Sequence, residues 1–412
     1  MVHMVSKFFR DFRGFDADAK KLVAVWTLYA VGDASVWFLL SLYLNEALGY
    51  SKVELGTVIF LMSTFSVLPL LPAGYISDRF GRRRMIFLGI CVSVLGMAVL
   101  IKADSLSEFY LGASVWGLGH SLHMPSFMGF LSEKVEEQRR KYLFSFQMFS
   151  GMIASGAAVL VYGFMPASLS RSLNITLQGG YRITFLVGMW FLLAQLSPLL
   201  LTKKESKKEG KSTDIQNEAK KLPPLPKLTL VKLCIPMALF GLGAGLIVPF
   251  FQVYFQWRFG TRVEDIGVLF AFTQILWAMA YLLMPNIAEK RGSVRAITIV
   301  HTFAIMALVA IPVSPNFLFV SAAYIARMVL MNMTWPIFQS YSLSQMPKEH
   351  RSFTLSSTSF SFNSLRAITP FIAGYLFQQN LELPFLITAV VYAIATIGFY
   401  FFFRRKDDKN DF

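Results

Sequence analysis

Long apolar runs, broken by short polar stretches, fill the chain from Leu22 almost to its end. A helix that crosses ~30 Å of hydrocarbon needs about 20 residues. Twelve runs come close to that length: 22–45, 53–76, 85–102, 108–131, 142–166, 183–201, 230–255, 265–286, 294–313, 317–342, 353–378 and 383–403, here spans 1 to 12. In lipid each backbone polar group needs a partner inside its own segment, so these runs predict helices; no alternating barrel-strand pattern competes. The one long polar stretch, 202–228, falls between spans 6 and 7 and predicts a solvated linker. The expected fold is an all-α polytopic membrane protein, with six-helix bundles over 1–201 and 229–412 on either side of that linker.

Composition agrees with the pattern. Of 412 residues 55% are hydrophobic and only 15% charged; soluble chains carry roughly 25% charged residues, so a string of soluble domains is excluded. A net charge of +15 raises nucleic acid as a partner, but the basic residues are segregated by loop, which is a membrane signature. The N-terminus, the 2–3, 4–5, 8–9 and 10–11 loops, the linker and the C-terminus hold 30 of the 39 Lys and Arg. The opposite loops hold six, and Lys232, Arg327 and Arg366 lie within spans. That bias predicts cytoplasmic termini and a cytoplasmic linker, and an even number of spans fits it. Cys91 and Cys234 both sit inside apolar runs and form neither a disulfide framework nor a metal site. The run starting near Leu22 is too long for a cleaved signal and is expected to stay as a helix.

The two halves repeat. A shift of 211 residues aligns Tyr43 with Tyr254, Gly49 with Gly260, Glu54 with Asp265 and Gly56 with Gly267. It also aligns Asp78 with Glu289, Arg79 with Lys290, Gly81 with Gly292 and Arg84 with Arg295. So many matches in one ungapped register predict parallel repeats, related by an axis along the membrane normal.

Between spans 2 and 3 stands Gly74-Tyr-Ile-Ser-Asp78-Arg79-Phe-Gly81-Arg82-Arg83-Arg84. Gly74 allows close helix contact, Asp78 can meet a helix N-terminus or an arginine, and Gly81 permits a tight turn. The stretch resembles the G-x-L-x-D-R-x-G-R-R signature of the major facilitator superfamily, with Ile76 in place of Leu. A degenerate copy, Pro285-Asn-Ile-Ala-Glu289-Lys290-Arg-Gly292, follows span 8, where that family repeats it. The resemblance covers essentially the whole chain. It implies two six-helix bundles that rock about a central cavity, a monomer, and a conformational latch at Gly74, Asp78, Arg79, Gly81, Arg82, Glu289 and Gly292. It also implies that Asp78 meets the end of span 11 near Arg351-Ser352.

Two departures bear on the subfamily. The family's span-4 pattern sets an Arg four residues before a G-x-G; Gly117-Leu-Gly119 is present, but the Arg position reads Ala113. The drug antiporters' G-P-x-x-G-G of span 5 reads Gly156-Ala157-Ala158-Val159-Leu160-Val161. The chain thus resembles a drug or metabolite exporter in its first 80 residues while lacking the antiporter's own mark.

Ionisable residues inside a span are costly and are functional candidates by default. Asp33, in the middle of span 1, is the one acid so deep. Taking up a proton removes the cost of its burial, which suits proton coupling; permanent pairing with an arginine is the structural alternative. Arg327 in span 10 and Arg366 in span 11 are the deep cations. Ser352, Ser356, Ser359, Asn363, Arg366 and Pro370 share one helical face, which fits a cavity wall or hydroxyls bonded back along the helix. One acid against two cations leaves a positive excess that an anionic substrate group would balance.

His120 and His123 share a face of span 4, fitting either packing or a proton relay, and make a poor metal site. His301 is lone and fits packing. Gln252 and Gln256, one turn apart in span 7, are candidates to face the cavity. Trp37 and Trp335 read as packing residues, and Met328, Met331 and Met333 make span 10 adaptable. Gly241-Leu-Gly243-Ala-Gly245 is a small-residue packing stripe with no strand before it, so it is no dinucleotide site. Gly210-Lys211-Ser212 lacks a P-loop's upstream glycine, and no nucleophile–base or metal constellation marks an enzyme. Uphill transport would then draw on an ion gradient. Asn174-Ile-Thr176 is a glycosylation sequon in the 5–6 loop. The function expected is secondary transport of a small organic solute, with no cofactor, driven by protons or another coupling ion. The alternatives are a proton-coupled multidrug antiporter and a receptor or scaffold that has kept the fold without transport.

Overall fold

The computed structural model describes residues 14–203, 224–280, 292–347 and 350–407, and among these no residue lies in a strand. Span 1 is the helix Ala17–Leu42, which runs into a π-helical turn at Tyr43–Ala47. Span 2 is two helices, Lys52–Val67 and Leu70–Phe80, separated at Leu68-Pro69. Spans 3, 4 and 5 are Arg82–Lys102, Leu106–Glu133 and Glu137–Leu173. Span 6 is Leu177–Ala194 followed by Leu196–Leu200. Span 7 is Lys227–Ile247, a 3-10 turn Val248–Phe250 that contains Pro249, and Phe251–Phe259. Span 8 begins with Val263–Ala280, and span 9 is Ser293–Val313. Span 10 is Phe317–Met333 with Trp335–Ser344, and spans 11 and 12 are Arg351–Gln379 and Leu383–Asp407.

Nine of these described segments are long and apolar enough to cross a membrane by length and composition alone. The other three are span 2, cut short at Pro69, and spans 4 and 11, where Gly, Ser, Thr, His and Asn dilute the apolar residues. In span 4 His120 bonds Tyr29 of span 1, whereas the hydroxyls and the amide of span 11 bond back along their own helix.

Local chemistry fixes the helix ends. Ser51 and Ser105 open spans 2 and 4 with capping boxes closed by Glu54 and Glu108. Thr176 and Asn316 cap spans 6 and 10 by accepting from Gly179 N and Phe319 N. Each satisfies amides that would otherwise lack partners. Glycines with positive φ occur at Gly49, Gly81, Gly260 and Gly292, at +69°, +95°, +61° and +76°. They form two pairs separated by the 211-residue repeat shift, so matching positions of the two halves turn through positive φ.

The chain forms two compact units: residues 1–205 with 249–275, and residues 206–248 with 276–412. In the first, spans 3 and 4 pack so closely that a Cβ at Gly89, Gly96, Gly112 or Gly119 would strike the opposite helix. Lipid supplies no hydrophobic drive between helices, so this close packing is a main source of their cohesion. Phe15, Leu22, Ile86, Ile90, Phe127 and Leu143 build the core towards the basic end of this unit. There Arg83 and Lys21 donate to the carbonyls of Leu200 and Leu201 at 2.6 and 2.7 Å, cations placed at a helix C-terminus. Buried Asp18 accepts from Lys21, Lys134 and the amide of Lys203. In the second unit, spans 7 and 11 cross at glycines of span 7 that also shape the site described next.

Candidate functional site

Tyr29, Asp33 and Trp37 stand at successive turns of span 1 and so share a face. The Tyr29 hydroxyl donates to Asp33 Oδ1 at 2.9 Å, and its oxygen lies 2.6 Å from His120 Nδ1. A phenol has one proton, so with that proton on Asp33 the His120 Nδ1–H is the donor to Tyr29. The Trp37 side chain lies one turn further along, within electrostatic reach of Asp33. Asp33, Tyr29 and His120 thus form one continuous chain between spans 1 and 4. Aromatic rings enclose it. His123 stacks on Tyr29 at 4.5 Å and on Phe127 at 5.7 Å, and Trp116 stacks on His120 at 5.7 Å. Trp37 meets Trp116 edge-on at 5.9 Å. Gly32 and Gly188 bring spans 1 and 6 together beside the acid, since a Cβ on either would overlap Leu192 or Ser35.

The second unit holds the cations. Arg327 is 2% exposed. It donates to the Tyr392 hydroxyl of span 12 at 3.0 Å, and its other terminal nitrogen approaches Met328 Sδ at 2.8 Å. Arg366 is within coulombic reach of both Arg327 and Tyr392, and its guanidinium makes no hydrogen bond with any described residue. The glycine stripe of span 7 builds this arrangement. A Cβ on Gly241 would meet the Phe362 carbonyl, and one on Gly245 would meet Thr369 and the Arg366 backbone. A Cβ on Gly243 would meet the Tyr392 ring, which Phe240 holds edge-on at 5.5 Å. The stripe expected only to pack therefore seats the Arg366 backbone and the Tyr392 ring.

The remaining candidates have definite places. Gln252 donates to the Trp37 carbonyl at 3.0 Å, and Gln256 accepts from Asn45 at 2.9 Å; Asn45 in turn accepts from Trp257 at 2.7 Å. Both glutamines are thus bound to span 1. Asn363 donates to the Ser359 carbonyl one turn back. Thr354, Thr358, Ser361 and Thr369 likewise bond back along span 11. His301 is buried against Phe240 and bonds Thr334 at 2.8 Å, as a packing histidine should. Trp335 packs edge-on to Phe362 at 5.5 Å.

In the stretch expected to form a latch, Gly81 makes the tight turn expected of it. Arg79 lies over the Tyr75 ring at 4.4 Å, and Arg82 pairs with Glu133 at 3.0 Å. Gly74 differs from expectation. No described atom approaches within 4 Å of where its Cβ would stand; its neighbours Tyr75 and Ile76 are exposed, while Ala73 and Ser77 carry the buried face of this helix. Gly292 turns at the start of span 9; the Asp78 side chain and Glu289 lie outside the described residues. Among the described residues no three His, Cys, Asp or Glu gather into a metal site.

Sequence reasoning missed Tyr29 and Tyr392, whose hydroxyls complete the two clusters. For Tyr29 a signal existed, since it precedes Asp33 by one helical turn. For Tyr392 none did.

The family model for the Major Facilitator Superfamily matches residues 22–370. The chain is 25% identical to "Multidrug resistance protein 2" of Bacillus subtilis (strain 168), over 86% of this chain and 88% of that protein. Its fold is similar to that of a bacterial homolog of the human lysosomal transporter Spinster, solved inward-facing and occupied. That match has a TM-score of 0.76 at 14% identity, over 94% of this chain and 97% of that one. It is also similar to a D-xylose–proton symporter, with a TM-score of 0.75 at 14% identity, over 93% and 97% of the two chains. A match running from the first span into span 11, on an all-helical polytopic fold with a repeated glycine turn, places the assignment beyond motif level: the chain belongs to the Major Facilitator Superfamily.

Proposed function

We propose that the chain is a secondary active transporter that moves a small organic solute across the cell membrane by alternating access, with protons linked through Asp33. The observation that carries the proton linkage is the continuous Asp33–Tyr29–His120 chain. A carboxyl, a phenol and an imidazole in hydrogen-bond contact can pass a proton without any large movement. Two bundles, 1–201 and 229–412, rock about the 202–228 linker with both termini in the cytoplasm; the loop segregation of Lys and Arg supports that orientation. Gly74, Asp78, Arg79, Gly81, Arg82, Glu289 and Gly292 serve as the latch, and a monomer is the working unit. His123 holds the Tyr29 ring by stacking, while Gln252 and Gln256 position span 7 against span 1.

A second reading, proton-coupled efflux of hydrophobic cations, has its own support. The rings of Trp37, Trp116 and Tyr29 around one carboxylate suit a cation, and a relative is named as a multidrug resistance protein. Proteoliposomes loaded with candidate solutes and given a pH gradient test the proposal. Asp33→Asn should lose gradient-driven flux while solute exchange at equal pH persists. Undiminished gradient-driven flux in Asp33→Asn would falsify the proton assignment. Absence of flux for every solute class would leave the receptor reading standing.

A further inference from the structure

Charge does not balance within the second unit. Its described acids are Glu382 and Asp407, at opposite ends of span 12. Arg366 lies 15 residues from the start of span 11 and 13 from its end, about 20 Å of helix from either. Arg327 lies 10 residues into its own helix, about 15 Å from its start, and is almost fully buried. Neither guanidinium can shed its proton, and an isolated charge at that depth is strongly unfavourable.

The hydrogen-bond inventory says what is missing. Arg327 spends two of its nitrogens on Tyr392 and Met328. Tyr392 accepts from Arg327, so its own proton remains to be donated, and no described residue accepts it. Arg366 offers all its donors and bonds none of the described residues. The cluster therefore presents a phenolic O–H and a guanidinium fork, all donors, with a second positive charge close by. What satisfies such a set is an oxyanion. The seat is rigid, because Gly241, Gly243 and Gly245 let the Phe362 and Arg366 backbone and the Tyr392 ring lie directly against span 7.

We propose that Arg366 and the Tyr392 hydroxyl, with Arg327 fixed beside them, bind an oxyanion of the transported solute, a carboxylate or a phosphate monoester. The proposal rests on the transporter reading for the word "transported", but the anion site stands on span 7, 10, 11 and 12 geometry alone. The rings of Phe240 and Tyr392 beside it suit an organic rather than an inorganic anion.

The test uses the full chain in nanodiscs and follows its thermal unfolding with benzoate, phenyl phosphate, benzamide and benzylamine. Benzoate or phenyl phosphate should stabilise the parent, and comparison of the two identifies the oxyanion; benzamide and benzylamine should not. Arg366→Gln should weaken anion binding by about tenfold or more, Arg366→Lys by less, and Tyr392→Phe by about fivefold. Tyr392→Phe keeps the ring against Gly243, so it carries the test if Arg366→Gln does not fold. Three results each overturn the proposal: no stabilisation by either anion, equal stabilisation by benzamide, or preference for benzylamine that survives Arg366→Gln. Failure of the transport reading looks different, as anion binding without gradient-driven flux in proteoliposomes.

Discussion

The Asp33 cluster and the Arg366 cluster solve the same problem, a charge deep in a membrane span, by opposite means. Asp33 is met by a donor of its own helix, Tyr29, and through it by His120 of span 4. Its cluster is aromatic, and the Asp33 carboxylate, the Tyr29 hydroxyl and His120 Nδ1 are bonded in one chain, while the His123 nitrogens and Trp116 Nε1 have no hydrogen-bond partner among the described residues. Arg366 has neighbours of its own sign and a phenol that still holds a proton to give. In one cluster the charged group is met by the protein's own donor. The other is complete only with an anion.

The sharpest way to break this contrast is to neutralise each side. Asp33→Asn should bring proton-driven accumulation down to the level of empty liposomes while leaving benzoate binding in place, whereas Arg366→Gln should weaken benzoate binding and, with it, accumulation of the anionic solute. If both variants lose both properties equally, the two clusters are not separable and the comparison fails. Gly245→Val comes next. Its side chain would collide with Thr369 and the Arg366 backbone, and overpacking of this kind costs about 1–3 kcal/mol. Lower thermal stability together with lost anion binding is the outcome expected, with the Asp33 cluster untouched.

Tyr29→Phe removes the bridging hydroxyl and keeps the ring stacked on His123. Loss of one hydrogen-bond bridge costs about 1 kcal/mol, so the fold should hold while proton-linked flux drops and its pH profile moves. An unchanged profile would remove Tyr29 from the relay. Gly74→Ala should have the smallest effect. With open space at its Cβ and a helical backbone, it should gain about 0.5–1 kcal/mol in thermal unfolding. A loss instead would mean that Gly74 meets a partner in another state of the cycle.

Much of the architecture was legible from periodicity, because a membrane allows a chain few choices. The repeat read in the sequence reappears in the paired turns at Gly49 and Gly260 and at Gly81 and Gly292. It also reappears in Asn45, which bonds Gln256, its own counterpart 211 positions on. The candidate site was legible where charge is rare: Asp33, Arg327 and Arg366 stand out of any apolar span. What completes them was not. Tyr29 and Tyr392 belong to a residue type that usually only packs, and their roles come from neighbours 91 and 65 residues away. Gly243 looked like one more small residue; that it seats Tyr392 depends on how spans 7 and 12 meet.

The π turn at Tyr43–Ala47 has a consequence for how this chain can change over generations. Its hydrogen bonds reach five residues back rather than four, so it stores one residue more than a regular turn. Loss of a single codon there would restore an unbroken α-helix and leave the register of Asp33, upstream, untouched. Because the wide turn already absorbs the extra residue at the end of the helix, the residues on either side would keep their places and the change would fall on the turn itself. Asn45 and Glu46 lie within it, so their bonds to Gln256 and to the Tyr181 hydroxyl are the ones that a deletion would break. A one-residue deletion is thus a mutation that rewires the last turn of span 1 and spares its middle, a route by which descendants of this chain could change those contacts while inheriting the same acid.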